Sequence, residues 1–434
     1  MKRVAIVGAG WAGCTAAVEL ARAGWAVTVY EAARTVGGRA RHVEIDGLAL
    51  DNGQHILLGA YAETLRLMKT VGIQPDDVLL RLPLQMRYAG PGMDFVTPRL
   101  PAPLHMLVGL LRAKGLLWED KMSLARFSTT ARWMDWRLNI DCSVAELLDR
   151  FDQTDRLIQL MWRPLCIAAL NTPPERASAQ VFLAVLRDSL GARRAASDML
   201  LPRVDLGMLF PQQAAHFVEQ HGGVVRTGVA IRRIDASEHG WRIASAQETA
   251  EADAVVIAVH PAQVGALLGD ALAVPELQAM SYEPITTCYL RYAADTRLDT
   301  PFYALLDDAS AARWGQFVFD RGQLDSRQAG LLAVVVSASN EAVALPQEAL
   351  ARDVASQLAD VFGRKALLTP QWVKVISEKR ATFSCTPALA RPQNRTERPG
   401  LVLAGDYTAG DYPATLEAAV RSGVEAARCV LATA

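Results

Sequence analysis

Gly8, Gly10 and Gly13 are spaced G-x-G-x-x-G, and Glu31 stands 18 residues beyond the last of them. These four residues have the types and spacing to hold a dinucleotide. Gly8 allows a tight turn, Gly10 lets the backbone approach a pyrophosphate, and Gly13 lets a helix pack closely on a strand. Glu31 is placed to bond a ribose hydroxyl. The pattern carries weight only if a strand precedes it and a helix follows. Val4-Ala5-Ile6-Val7 reads as a buried parallel strand, an alanine-rich helix runs to about Ala23, and Ala26 to Tyr30 forms a second strand that ends on Glu31. The helix N-terminus around Ala12 offers unpaired N–H groups to phosphate oxygens.

Arg34-Thr35-Val36-Gly37-Gly38-Arg39 follows directly. Two adjacent glycines flanked by Arg34 and Arg39 make a second phosphate contact, which suits a cofactor lying extended through the protein. Near the other end of the chain, Leu401 to Ala404 reads as a short strand followed by Gly405-Asp406. Thr415 is an N-cap candidate for a helix from about Leu416 to Leu431.

The R-x-x-G-G-R signature and this C-terminal pattern resemble the flavin-containing amine oxidase and phytoene desaturase superfamily. The resemblance implies FAD. It also implies an α/β fold: a Rossmann-like FAD-binding domain of the GR2, p-hydroxybenzoate-hydroxylase-like type, with a discontinuous α+β substrate domain. In that family pattern Gly38 and Arg39 would hold FAD, and Asp406, after Gly405, would bond its ribityl or pyrophosphate side. The helix at Thr415-Leu416 would point its positive end at the flavin pyrimidine ring, where reduced flavin carries negative charge. The backbone of Val229 would touch the adenine side; an ordinary strand residue is the competing reading.

At 434 residues, 51% of them hydrophobic, the chain has room for two or three domains and a large core. A net charge of −1 implies no basic face, so no nucleic-acid partner is expected. Six scattered cysteines form no C-x-x-C, which points to a reducing compartment and no structural metal. Lys2-Arg3 before an apolar run looks like a signal peptide, but that run is the first strand. No apolar run reaches the ~18 residues needed to span a bilayer. The expected location is cytoplasmic, with peripheral contact at the inner face of the cytoplasmic membrane left open.

Nucleotide-domain character falls in three pieces, 1–80, 201–262 and 376–434. Gly222 to Ile231 reads as a strand pair, Trp241 to Ala244 as a strand, and Ala254 to Val259 as a buried parallel strand that ends at His260-Pro261. Residues 81–200, mainly helical, and 263–375, with strands and a helix at 347–362, would form the substrate domain.

Several further stretches sharpen the resemblance: Asp51-Asn52-Gly53-Gln54-His55, Trp162-Arg163-Pro164-Leu165, Asn171-Thr172-Pro173-Pro174-Glu175, Leu209-Phe210-Pro211-Gln212 and Gly405-Asp406-Tyr407-Thr408. As a set they resemble the bacterial squalene-associated FAD-dependent desaturases, a family better described as hydroxysqualene dehydroxylases of hopanoid biosynthesis. The implied reaction is reductive: hydroxysqualene and reduced FAD give squalene, water and oxidised FAD. It requires an apolar isoprenoid substrate and an electron donor, which the sequence does not identify. Isoprenoid desaturation, with electron flow reversed, is the alternative on the same fold. A flavin amine oxidase and a non-redox prenyl-binding protein fit less well.

By the same resemblance Gly53, Gln54 and His55 would pass close to the isoalloxazine ring. His55 is a candidate general acid, with an ordinary pKa near working pH, or a bystander bonded to backbone. Tyr407 and Tyr412 are candidates to position a hydroxyl, or else pack. Asp51 reads as the cap of a turn at Asn52-Gly53. Trp118, Trp133, Trp136 and Trp162 fall in the helical insertion, with Trp133 and Trp136 on one helix face, either lining an isoprenoid tunnel or filling the core. Leu100 to Leu111, followed by Arg112 and Lys114, is either an interfacial patch or a buried helix.

Overall fold

The computed structural model describes residues 1–90, 92–269 and 272–433. Five strands form a parallel sheet in the spatial order Val224–Thr227, Ala26–Glu31, Arg3–Val7, Ala254–Ile257, Leu401–Leu403. All four residues of Ala254–Ile257 are buried, as expected of an unbroken apolar strand covered on both faces. Strand order reverses between Arg3–Val7 and Ala254–Ile257, which opens a crevice at their carboxyl ends. Gly8 leaves one strand and Ala258 the other. A Cβ on Gly8, at φ +104°, would meet Ala258 O at 2.5 Å, so glycine is required there. The helix Trp11–Arg22 continues from this turn. The C-terminal helix Leu416–Ala432 packs on it at Gly423, where a Cβ would strike Ala12 O and Thr15.

Gly222 to Ile231 is not a strand pair. Val224–Thr227 joins the edge of the parallel sheet, whereas Ile231–Ser237 pairs with Gly240–Ser245 in a separate three-stranded antiparallel sheet. Gly228, at φ +73°, sits in the connection between them. Val229 lies in that connection rather than in a strand.

A second five-stranded sheet is antiparallel, in the order Phe302–Ala304, Phe317–Asp320, Leu331–Ser337, Tyr282–Arg291, Trp372–Phe383. Alternate side chains face opposite ways. Cys288, Leu290 and Val334 pack with Val354 and Leu358 of the helix Gln347–Phe362. Tyr289, Phe302 and Val335 belong to another buried cluster, shared with Phe127, Trp162 and Phe182 of the helical insertion.

That insertion includes the helices Leu104–Arg112, Trp118–Trp133, Val144–Arg150, Arg163–Leu170 and Ala179–Ser189. Its tryptophans part company. Trp162 is buried, donates from Nε1 to Gln153 Oε1 at 2.9 Å, and packs against Phe127 and Phe182. Trp133 and Trp136 do not share a helix face. The helix stops at Trp133, and Asp135 and Trp136 take positive φ, which turns the chain so that Trp136 is buried and Trp133 is left outside. Asn171, at φ +48°, ends the helix Arg163–Leu170 in the left-handed conformation. Its side chain bonds Thr382 Oγ1 at 2.9 Å and Ala338 N at 2.7 Å, tying the insertion to the antiparallel sheet. Phe210 packs against Trp11 with ring centroids 5.2 Å apart. Among the described residues no helix is long and apolar enough to cross a membrane.

Candidate functional site

The two glycine motifs lie against each other at the crevice. Gly37 N–H donates to Ala9 O at 2.8 Å, and a Cβ on Gly38 would stand 3.0 Å from Gly10 Cα. A Cβ on Gly10 would meet nothing closer than Gly38 Cα at 3.9 Å. Gly10 therefore borders open space, of the kind a closely approaching ligand fills. Glu31 arrives beside it on its strand: Oε2 accepts from Ala9 N–H at 2.7 Å and Oε1 from Ala33 N–H at 2.8 Å. Val229 N–H donates to Glu31 O at 2.9 Å, so one of its backbone groups is already committed. Ala12 is buried in the first helical turn, and Arg34 is exposed.

Arg39 crosses from this end of the chain to the other. It pairs with Asp406 at 2.6 Å and donates to Ala381 O at 2.7 Å. Gly405 must be glycine because a Cβ there would run into the Tyr407 ring. Thr415 Oγ1 accepts from Ala418 N–H at 3.2 Å, which makes it the N-cap of Leu416–Ala432. The remaining first-turn N–H groups, at the buried Leu416, face the end of this helix where its dipole is positive.

Three buried polar atoms around the Arg39–Asp406 pair have no partner among the described residues: Tyr407 Oη, Tyr282 Oη and His260 Nε2. The rings of His260 and Tyr282 lie 4.9 Å apart, and all three groups feel the charges of both Arg39 and Asp406. His260 Nδ1 accepts from Ala262 N–H at 3.2 Å, so its neutral ring carries the proton on Nε2. Burial, followed by the nearby Arg39, pushes the His260 pKa down to about 4. Burial raises those of both tyrosines. At neutral pH all three are donors. A buried donor left unmade costs about 1–3 kcal/mol. The set therefore fits an acceptor-rich group, such as the ribityl chain and pyrophosphate of a dinucleotide. Sequence spacing missed His260 and Tyr282. The available signal was that His260 follows the buried strand Ala254–Ile257, at the sheet end where strand order reverses.

The Asp51–His55 segment bridges this cradle and the antiparallel sheet. Asn52 Nδ2 donates to Arg39 O at 3.1 Å. Gln54 Nε2 donates to Tyr289 Oη at 2.8 Å, and that hydroxyl donates to Asp51 O at 2.8 Å. The buried Arg321 donates to Gln54 Oε1 at 2.9 Å and lies 3.7 Å from Asp51 Oδ2. Asp51 does not cap the local turn: its Oδ1 accepts from Leu206 N–H at 2.8 Å, far along the chain. Burial pushes its pKa up to about 6 despite Arg321. Gly53 is buried, and a Cβ there would have only His55 Cε1, at 3.9 Å, as a neighbour.

His55 departs from the expected ordinary imidazole. Burial lowers its pKa, and Nδ1 sits 3.0 Å from Gly53 O. It is neutral at pH 7, with Nδ1–H donating and Nε2 free to accept. Tyr412 is committed elsewhere. Its hydroxyl donates to Asp188 Oδ2 at 2.8 Å, and Arg421 lies over its ring at 4.4 Å.

Comparison with known proteins gives the family. The family model described as flavin containing amine oxidoreductase matches residues 11–431. Hydroxysqualene dehydroxylases of Rhodopseudomonas palustris and Sinorhizobium fredii are 30% and 28% identical, each alignment covering 99% of this chain and 99% and 98% of theirs. A zeta-carotene desaturase of Synechocystis is 26% identical over 99% of this chain and 97% of its own. Among solved structures, cyclohexylamine oxidase from Brevibacterium oxydans superposes with a TM-score of 0.71 at 16% identity, covering 99% of this chain and 98% of that one. With its cradle at the crevice and a match over nearly its whole length, the chain belongs to the flavin containing amine oxidoreductase family and is an FAD-dependent oxidoreductase.

Proposed function

We propose that this enzyme removes the hydroxyl of hydroxysqualene reductively, giving squalene and water. The observation that carries the reading is the junction at Asp51–His55, bonded on one side to Arg39 and on the other to Tyr289 and Arg321. It joins the cofactor cradle to a large apolar cluster, a setting for a hydrocarbon chain with one polar group. Similarity over full length to two hydroxysqualene dehydroxylases supports the same reading. Residues 1–80, 201–262 and 376–434 would form the FAD-binding domain, and 81–200 with 263–375 the substrate domain.

When bound, FAD supplies the hydride chemistry. In this reading Gly10, Gly38, Glu31 and Arg39 would hold its phosphates and ribose, Asp406 would accept from a ribityl hydroxyl, and Tyr407, Tyr282 and His260 would donate to its acceptors. Leu416 presents the helix N-terminus. The apolar residues packed around Tyr289 would keep water from a cationic carbon held beside them. Hydroxide leaves poorly, so a proton must reach the departing oxygen. The neutral His55 accepts from the substrate hydroxyl through Nε2 and orients it, and can donate only after taking up a proton itself. Tyr407 remains a protonated donor across the physiological range.

The relative among zeta-carotene desaturases favours a second reading, oxidative desaturation of an isoprenoid. One experiment separates them. Flavin pre-reduced under anaerobic conditions should be reoxidised by hydroxysqualene, with squalene formed in equal amount. If reduced flavin ignores hydroxysqualene while oxidised flavin is bleached by a saturated-bond isoprenoid, the desaturase reading replaces ours.

A further inference from the structure

The helices Leu104–Arg112 and Trp118–Trp133 present an apolar face to the outside. Leu104, Leu107 and Leu111, at i, i+3 and i+7, each stand about half exposed. The opposite side of that helix is seated firmly: a Cβ on Gly109 would lie 3.2 Å from the Phe95 ring, and Leu110 is buried. The segment is thus a core contact through Leu110 on one side and an exposed leucine stripe on the other. On the second helix, Trp118, Met122 and Trp133 fall within an arc of about 60° at 3.6 residues per turn. Trp118 is 67% exposed and Trp133 is 86% exposed. Leu124, Phe127 and Ala131, on the far side, are buried. Lys121 Nζ donates to Leu111 O at 2.9 Å, which joins the two helices.

We infer that this face lies on an anionic lipid surface. Trp118 and Trp133 stand about 22 Å apart along the longer helix, with Met122 between them and the exposed Thr129 in the same arc, and tryptophan is the residue that favours the headgroup level. Arg112, Lys114, Arg126 and Arg132 are exposed around it. Over residues 104–133 five Arg or Lys stand against two acids, in a chain whose net charge is −1. One of those acids, Asp120, is buried and accepts from Leu117 N–H and Thr154 Oγ1. A second copy of the chain is a poorer cover. A two-fold contact would set these basic rims against each other, whereas anionic headgroups neutralise them. The face is an in-plane amphipathic surface rather than a span.

The test uses the flavin-loaded full chain and vesicles of phosphatidylcholine with or without phosphatidylglycerol. We expect at least about tenfold stronger partition onto the anionic vesicles. Trp118→Ser with Trp133→Ser should lower binding to them by about tenfold or more. Both positions are exposed, so flavin absorbance and melting temperature should hold. Arg126→Gln with Arg132→Gln should retain basal binding and lose the preference for anionic lipid. Brominated lipid should quench tryptophan emission in the parent and much less in the Trp118/Trp133 variant. Equal binding by parent and tryptophan variant, or no binding to either vesicle, overturns the inference. So does a lipid-free dimer that the tryptophan substitutions abolish, since a second copy would then cover the face. Vesicle binding is read without turnover, so its failure leaves the proposed reaction untouched.

Discussion

Substituting Gly10 by alanine, and then by valine, should separate cofactor binding from folding. Gly10 is the N-cap of Trp11–Arg22 at φ −72° and ψ 179°, a conformation open to any L-residue. Beyond its own chain neighbours, a Cβ there has no atom of the described residues nearer than Gly38 Cα at 3.9 Å. The apo fold should therefore lose about 1 kcal/mol or less. In the proposed reading the same carbon would occupy the space where backbone touches the pyrophosphate. A pyrophosphate pushed back by about one C–C bond leaves hydrogen-bond reach of the helix N–H groups. Losing two bonds to a charged group, at about 1.5–3 kcal/mol each, weakens FAD binding by about 3–6 kcal/mol, or roughly 10²–10⁴-fold. Flavin fluorescence titration of the apoprotein gives the affinity, and thermal melting of the apo form gives the fold. Gly13→Ala is the contrast. Its Cβ would strike Gly8 O and come within 3.1 Å of Ala258 Cβ, so it should lower the melting temperature itself. A Gly10→Val protein that binds FAD as tightly as the parent refutes the cradle.

Asp406→Ala should leave Arg39 without its 2.6 Å partner and weaken FAD retention by about 1–3 kcal/mol, measured by the same titration. His55→Ala should keep its flavin; if His55 delivers the proton, reoxidation by hydroxysqualene slows by roughly 10²–10⁴-fold. Because burial lowers the His55 pKa, that rate in the parent should rise as pH falls, with no inflection at an ordinary imidazole pKa; a threefold effect or less makes His55 structural. Asp51 has a folded pKa raised from 3.8 to about 6, so the folded state holds a proton that the unfolded state has already lost. Its contribution to stability is greatest below pH 3.8 and is lost as pH rises towards 6; melting temperatures across that window should show Asp51→Asn with a flatter profile than the parent, and identical profiles would remove the effect.

Local spacing made the two ends of the fold legible. The glycine turn, Glu31 and the Thr415 cap depend on residues within a few positions of one another, or on the usual length of a strand–helix–strand unit. The helix Gln347–Phe362 was legible for the same reason. What stayed hidden depends on distant partners. Asp51 looked like a turn cap because its acceptor role is to Leu206, and its charge is met by Arg321. His260 and Tyr282 acquire meaning only when the sheet brings them to Arg39 and Asp406. Helical periodicity alone would carry Trp133 on to Trp136; it cannot register the positive φ at Asp135 that ends the helix. Gly222 to Ile231 shows two strands in sequence, but which sheet each joins is decided by Ala26–Glu31 and Gly240–Ser245.

The Arg39–Asp406 pair closes a loop of almost the entire chain, and it has a consequence for how the protein is made. The ribosome releases the glycine turn early and the segment bearing Asp406 and Thr415 late. Until then Ala254–Ile257 has a bare sheet edge where Leu401–Leu403 belongs, and Trp11–Arg22 lacks the helix that seats at Gly423. The nascent chain can form its first strand–helix–strand unit, yet in the proposed reading it would have only part of a grip on FAD. In the proposed reading, cofactor capture would wait until that segment has been made. A polypeptide broken off before about residue 400 would emerge colourless and with an unpaired strand, a species for proteolysis to remove.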